Sequence, residues 1–258
     1  MSKVYLDKLL EIAKAEVGYL EKASNAQLDD KTANAGSANY TKYARDLYNA
    51  GYYGGKNKNG YAWCDMFVDW CFYMAAGKDA VHAQAVECQT GEYGAGCTFS
   101  SRYYGYQNRF YKSGPKVGDQ IFFGTADNVT HTGLVYKVDS SCVYTIEGNT
   151  GAGNDVVIAN GGAVAYKSYL LTNSKIYGYG RPKYDGEVTP AAPVVPAEPL
   201  PTKFVDVPAG TYYTEAVKWA VENGITSGVD ETHFSPDKPC TRAQVVTFLY
   251  RLYQLLQG

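Results

Sequence analysis

The period of apolar positions changes near Pro115. Before it, Val4, Leu6, Leu9, Leu10, Ala13 and Val17 recur at helical spacing and predict an amphipathic helix between Lys3 and Lys22. Tyr40, Tyr43, Ala44, Leu47 and Tyr48 fall on one face of a second helix, Tyr40 to Asn49. The Gly-rich turn GYYGGKNKNG then leads into YAWCDMFVDWCFYMAAG. There Cys64, Phe67, Val68, Cys71, Phe72 and Ala75 keep the i, i+3, i+4, i+7 pattern, and Gly77 can end the helix. After Pro115 the runs VGDQIFFG, HTGLVYKV, CVYTIEG, DVVIA, AVAYKSYLL and KIYGYGR read as strands. Helices followed by an antiparallel sheet predict an α+β domain.

Residues 186–202, GEVTPAAPVVPAEPLPT, hold five of the ten prolines and predict an extended spacer, because proline fixes φ and removes an amide donor. The spacer divides the chain into residues 1–185 and a small helical module at 203–258. In the module, Ala216, Val217, Ala220 and Val221 form one helical stripe, with Gly224 as its stop. Thr241 and Gln244 have the spacing of a capping box ahead of a second stripe, Val245, Phe248, Leu249 and Leu252. Two helices in so short a segment make a thin core, so a homo-oligomer through residues 203–258 or docking on a neighbour is an expectation.

Composition narrows the function. In 258 residues the net charge is −2, which does not suit a nucleic-acid groove. No run nears the roughly 20 apolar residues of a membrane span. Lys3, Asp7, Lys8, Glu11 and Lys14 break up the N-terminus, so a secretory signal is not expected and synthesis in the cytoplasm is. In that compartment the six cysteines would stay reduced rather than form a disulfide scaffold, and without C-x-x-C pairs they predict no structural zinc. Tyrosine is abundant: 21 of the 25 precede the spacer.

Cys64 opens its helix directly after the flexible loop, where helix N-terminal amides favour a thiolate, so it is either a nucleophile or an inert buried thiol. Cys71 fits the apolar face, and Cys88, Cys97, Cys142 and Cys240 are structural or unassigned. Three histidines are available as a base, and His131, at the start of a strand, is the candidate over His82 and His233. If Asp139, Ser140 and Ser141 form the turn of a hairpin, Val138 opposes Cys142 and His131 opposes Asn149. Glu147 then shares that face, diagonal to His131. An imidazole needs a partner that fixes its tautomer, and Glu147 or Asn149 can supply it.

The series YAWCDMFVDW, KVGDQIFF, HTGLVY and IEGN resembles the CHAP family, cysteine- and histidine-dependent amidohydrolases and peptidases of peptidoglycan with a papain-like fold. The resemblance spans most of residues 1–185. It implies Cys64 as nucleophile, His131 as general base, and Glu147 with Asn149 as orienting and polar partners, with no cofactor. Trp63 stands where many members have glutamine. Residues 51–63 hold no Asp or Glu, so the calcium loop of some members, and any metal, is not expected. Tyr52, Tyr53, Tyr61, Tyr103, Tyr104 and Tyr106 are candidates to line a glycan groove.

F-x-D-V, A-V-K-W-A, G-I-T-x-G, F-x-P and T-R-A-Q in the module resemble one S-layer homology repeat, with Gln244 where an acidic residue is usual. That implies a cell-wall polysaccharide partner. Together these likenesses suggest an endolysin-like peptidoglycan hydrolase, from a phage, acting at the wall after release. It would be an N-acetylmuramoyl-L-alanine amidase or a stem or cross-bridge endopeptidase. A papain-like protease and a non-catalytic wall-binding protein are the alternatives.

Overall fold

The computed structural model describes residues 2–89, 96–151, 157–158, 160–184, 203–207, 213–236 and 238–257. The chain forms two compact units, Met1–Glu187 and Val188–Gly258. The Pro-rich spacer expected at 186–202 lies outside the described residues, as does most of the expected strand DVVIA.

The first unit is α+β. Five helices, α1 (Ser2–Glu16), α2 (Lys42–Asn49), α3 (Cys64–Ala75), α4 (Ala80–Glu87) and α5 (Cys97–Tyr106), precede a six-stranded sheet. Its strands are β1 (Phe110–Tyr111), β2 (Gln120–Gly124), β3 (Val129–Val138), β4 (Cys142–Thr150), β5 (Ala163–Leu170) and β6 (Ile176–Gly180). They lie in the order β1-β6-β2-β3-β4-β5, every pairing antiparallel.

α1 is shorter than its apolar stripe predicts. Gly18 turns the backbone left-handed at φ 90°, and Leu20 then bridges Ala163 of β5. The pairing Gly18 N to Val164 O, answered by Val164 N to Tyr19 O, draws this segment onto the sheet edge in place of a further helical turn.

α3 is the centre of the unit. All of its side chains except Met74 are buried, against α1, α2, α4, α5 and strands β3 and β4. A helix covered on every side reads as near-continuous apolar sequence, as MFVDWCFYMA does. Its close seat on β4 requires a glycine, since a Cβ at Gly148 would lie 2.4 Å from the Cβ of Phe67.

Two helices carry no strong pattern. α4 is short, with Val81 exposed and Glu87 buried, and is capped by the Asp79 carboxylate accepting from His82 N at 3.0 Å. α5, CTFSSRYYGY, is rich in residues of middling helix propensity and packs against α3, β1, β3 and β6, so tertiary contact holds it.

The β3–β4 hairpin departs from the simple register. Val138 faces Val143 rather than Cys142, because the Asp139 carboxylate accepts from the Ser141 and Cys142 amides at 2.9 and 2.8 Å and lengthens the turn. A bulge at Tyr136 takes up the extra residue: Lys137 pairs with Tyr144, but Val135 pairs with Thr145 and Leu134 with Ile146. Beyond the bulge the pairing runs on to Leu134 and Ile146, and Gly133 lies against Glu147, where a Cβ would stand 2.4 Å from Cγ.

In the second unit, α6 (Thr214–Glu222) sits over a small core of Phe204, Val207 and Val217. Asp206 ties the segment together by accepting from the Phe234 and Ser235 amides at 2.8 and 2.7 Å. α7 (Arg242–Gln257) opens with a reciprocal capping box, Thr241 N to Gln244 Oε1 at 2.8 Å and Gln244 N to Thr241 Oγ1 at 3.2 Å. Its stripe is not covered: Val245 and Leu249 are exposed, and Phe248 and Leu252 are half-buried.

Candidate active site

Cys64 is the first residue of α3, and the Trp63 side chain makes no capping hydrogen bond there. The first amides of the helix are therefore left to face the thiol. Trp63 is fixed from outside the helix, its indole Nε1 donating to Glu21 Oε2 at 2.9 Å.

His131 stands on β3 and Glu147 on β4, both fully buried. His131 Nε2 is 2.8 Å from Glu147 Oε2. Glu147 is itself held in place: Thr145 Oγ1 donates to Oε1 at 2.5 Å and Tyr169 Oη donates to Oε2 at 3.1 Å. Room for the carboxylate comes from Gly133, where a Cβ would lie 2.4 Å from Glu147 Cγ. Phe123 stacks on the imidazole at a centroid distance of 5.9 Å.

Asn149 is buried at a left-handed φ of 54°, inside the register shift between β4 and β5. Its Oδ1 accepts from Gly162 N at 3.3 Å and its carbonyl from Gly161 N at 2.9 Å. Of the two candidates for orienting the imidazole, Glu147 carries the hydrogen bond to Nε2. Asn149 shapes the end of the strand.

The electrostatics of the Cys64–His131 pair are complementary. Hydrogen bonding from Cys97 is the largest influence on the Cys64 thiol and holds it well below its ordinary range. Burial opposes that, while His131 and the Asp65 amide assist it. For His131, burial disfavours the charged ring, yet Cys64 and Glu147 together raise it to about 10. Both shifts run in the direction that favours a thiolate beside an imidazolium.

Cys97 carries no signal in the sequence. Its Sγ lies 3.4 Å from that of Cys64, at the first residue of α5. The other expected thiols are unremarkable in chemistry: burial pushes Cys71 and Cys88 upward, the inert direction. All six cysteines are free.

Behind the nucleophile lies an acidic cluster. Asp65 accepts from Gly96 N, Ser100 Oγ and Gln120 Nε2 at 2.7, 2.7 and 3.0 Å, and burial raises it to about 6. One turn on, burial raises Asp69 well above its normal range, and it raises Glu87 from α4 likewise. Tyr53 and Tyr52 donate their hydroxyls to Asp69 and Glu87. A carboxylic acid kept neutral can be copied by an amide. Glu87→Gln is therefore expected to change the unfolding free energy by no more than about 1 kcal/mol at pH 6. The sign of the pH dependence follows from linkage. A raised acid binds its proton more tightly when folded, so its contribution is lost as pH rises through the folded titration. The variant lacks that proton and should lose less stability between pH 6 and 9 in denaturant titrations.

The tyrosines expected to line a groove separate into two sets. Tyr52, Tyr53 and Tyr104 are buried, the first two because their hydroxyls serve the carboxylates. Tyr61 and Tyr106 are exposed and Tyr103 is half-buried. A surface hollow of about 390 Å³ lined by Lys112, Pro115, Val138, Leu171 and Tyr179 includes none of the residues around Cys64. The G-D pair ahead of β2 is structural, with Asp119 accepting from Arg181 Nε and Nη2 at 2.9 and 2.8 Å.

No helix among the described residues is long and apolar enough to cross a membrane. Among known proteins, the CHAP domain family matches residues 56–149 and the S-layer homology domain family matches residues 203–246. The former span contains Cys64, Cys97, His131, Glu147 and Asn149. A "Surface-layer 125 kDa protein" of Lysinibacillus sphaericus is 40% identical over 52 residues, which are 20% of this chain and 4% of that protein. No solved structure matches. A CHAP domain implies a cysteine-dependent amidase or peptidase of the cell wall, with a papain-like fold. An S-layer homology domain implies binding to cell-wall polysaccharide and a place at the cell surface. Residues 56–149 of this chain are a CHAP domain, and residues 203–246 are an S-layer homology domain.

Proposed function

We propose that the first unit is a peptidoglycan hydrolase with Cys64 as its nucleophile, and that the second unit keeps it on the wall. The observation that carries the reading is the buried His131–Glu147 hydrogen bond of 2.8 Å beside a buried Cys64 at a helix start, with the thiol depressed and the imidazole raised, each by the other among its causes. Cys64 thiolate attacks an amide carbonyl, and the oxyanion so formed meets the amides at the start of α3. The imidazolium of His131 gives its proton to the departing amine. It then takes one from water, which hydrolyses the thioester and frees Cys64.

The S-layer homology domain and the surface-layer relative favour an enzyme resident on the cell surface over the phage endolysin expected from the sequence. Neither match speaks for phage origin or for timed lysis.

The test is digestion of purified peptidoglycan beside casein, with mass spectrometry of the products. An amidase frees whole stem peptides from the glycan, whereas an endopeptidase leaves shortened stems attached. Casein cleavage with intact peptidoglycan would overturn the reading. In the same preparation the full chain should sediment with walls, and pre-extraction of the wall polysaccharide should release it.

A further inference from the structure

Cys97 is a buried nucleophile in contact with Cys64 that the hydrolytic cycle does not use. Its position is built, not incidental. Asp65, the residue after Cys64, accepts through one oxygen from both Gly96 N and Ser100 Oγ at 2.7 Å, which pins the first turn of α5 against the start of α3. The two sulfurs sit in one small buried cluster with Cys88, Tyr104, Phe122 and Val129. At 3.4 Å they are in contact and unbonded. A disulfide needs them at about 2.05 Å, a further approach of about 1.4 Å.

We propose that Cys64 and Cys97 form a peroxide-sensitive site in which oxidation of Cys64 is captured by Cys97 as a reversible disulfide. The Cys64 thiolate attacks one oxygen of hydrogen peroxide; the O–O bond breaks and hydroxide leaves with its electron pair. Cys64 is then a sulfenic acid, oxidised by two electrons. The sulfur of Cys97 attacks that of Cys64, the S–O bond breaks, and the departing hydroxide takes the Cys97 proton to leave as water. A dithiol such as dithiothreitol reverses the bond by exchange. Without a second thiol the sulfenic acid proceeds to sulfinic acid, which reduction does not restore. At a cell surface exposed to oxidants, the pair silences the hydrolase while preserving its nucleophile.

Only the effect on catalysis rests on Cys64 being the nucleophile; the bond is read by mass. The full chain is treated with a small excess of hydrogen peroxide, alkylated and digested for peptide mapping. The wild type should lose two hydrogen masses and yield a Cys64–Cys97 linked peptide. Its wall-lytic activity should fall to the level of Cys64→Ala and return with dithiothreitol. In Cys97→Ser, Cys64 should gain two oxygen masses, and dithiothreitol should restore nothing. Wild-type protein in which Cys64 becomes sulfinic acid or stays unmodified while Cys97 remains alkylatable would overturn the proposal. If Cys97→Ser does not fold, the wild-type map decides alone. A linked peptide in a protein with no lytic activity before oxidation would sink the hydrolase reading and leave the site standing.

Discussion

Cys64→Ala should abolish wall-lytic activity, by about 10⁴-fold or more, because a nucleophile acting in one unit with its base has no substitute. The fold should survive. The thiol is a small part of the apolar contact at the start of α3, and most of the helix is anchored by Phe67, Trp70, Cys71 and Phe72. Its loss should lower stability by only about 1 kcal/mol, visible in thermal unfolding. The variant also tests the electrostatics. His131 is raised in part by Cys64, so its imidazole should titrate lower in Cys64→Ala, a shift that NMR of the ring protons would read. In the wild type, iodoacetamide should alkylate Cys64 well below the pH at which Cys71 or Cys88 reacts. Wall lysis at wild-type rate by Cys64→Ala would remove the proposed mechanism entirely.

Glu147→Gln has the second-largest expected effect, a fall in kcat/KM of about 10²- to 10⁴-fold with binding of the wall unchanged. Its pH profile separates positioning from mere damage. The wild-type activity should hold between the depressed titration of Cys64 and that of His131 at about 10, where the imidazolium loses the proton destined for the amine. Glu147 favours the charged ring, so replacing it with a neutral amide lowers the His131 titration and draws the alkaline limb to lower pH. Glu147→Asp, which keeps the charge on a shorter arm, should recover part of the rate and much of the limb. A Glu147→Gln profile that falls in height with an unmoved alkaline limb would deny the carboxylate its electrostatic role.

The parts of this site written in local sequence were readable: a cysteine at a helix start after a glycine-rich loop, and a histidine and glutamate on facing strands. Those signals arise from short-range rules, helix capping and the alternation of strand faces. What was not readable came from packing between distant segments. Cys97 reaches Cys64 only because α5 docks beside α3 through Asp65, and no residue near Cys97 announces that contact. Tyr52 and Tyr53 looked like groove-lining aromatics because a tyrosine serves equally in a cleft or under one; the acids that bury them, Glu87 and Asp69, lie far along the chain. α1 stopped short of its stripe where Gly18 and the edge of β5 competed for the same backbone.

The bulge at Tyr136 has a consequence for how this hairpin can be altered or transplanted. Turn length and bulge are an interlocked pair: the turn adds a residue on one side, and Tyr136 restores the phase before the strands reach the site. Were Tyr136 drawn into the ladder opposite Thr145, Val135 would meet Ile146, and Leu134 rather than Gly133 would meet Glu147. The carboxylate would then project from the opposite face to His131, and no change at either residue would bring them back. Only a turn re-formed with Val138 opposite Cys142 would then return the phase. Deleting Tyr136 would instead leave Val135 opposite Thr145 and Leu134 opposite Ile146, so a loop graft into this fold should keep the register of the turn and leave position 136 out of the ladder.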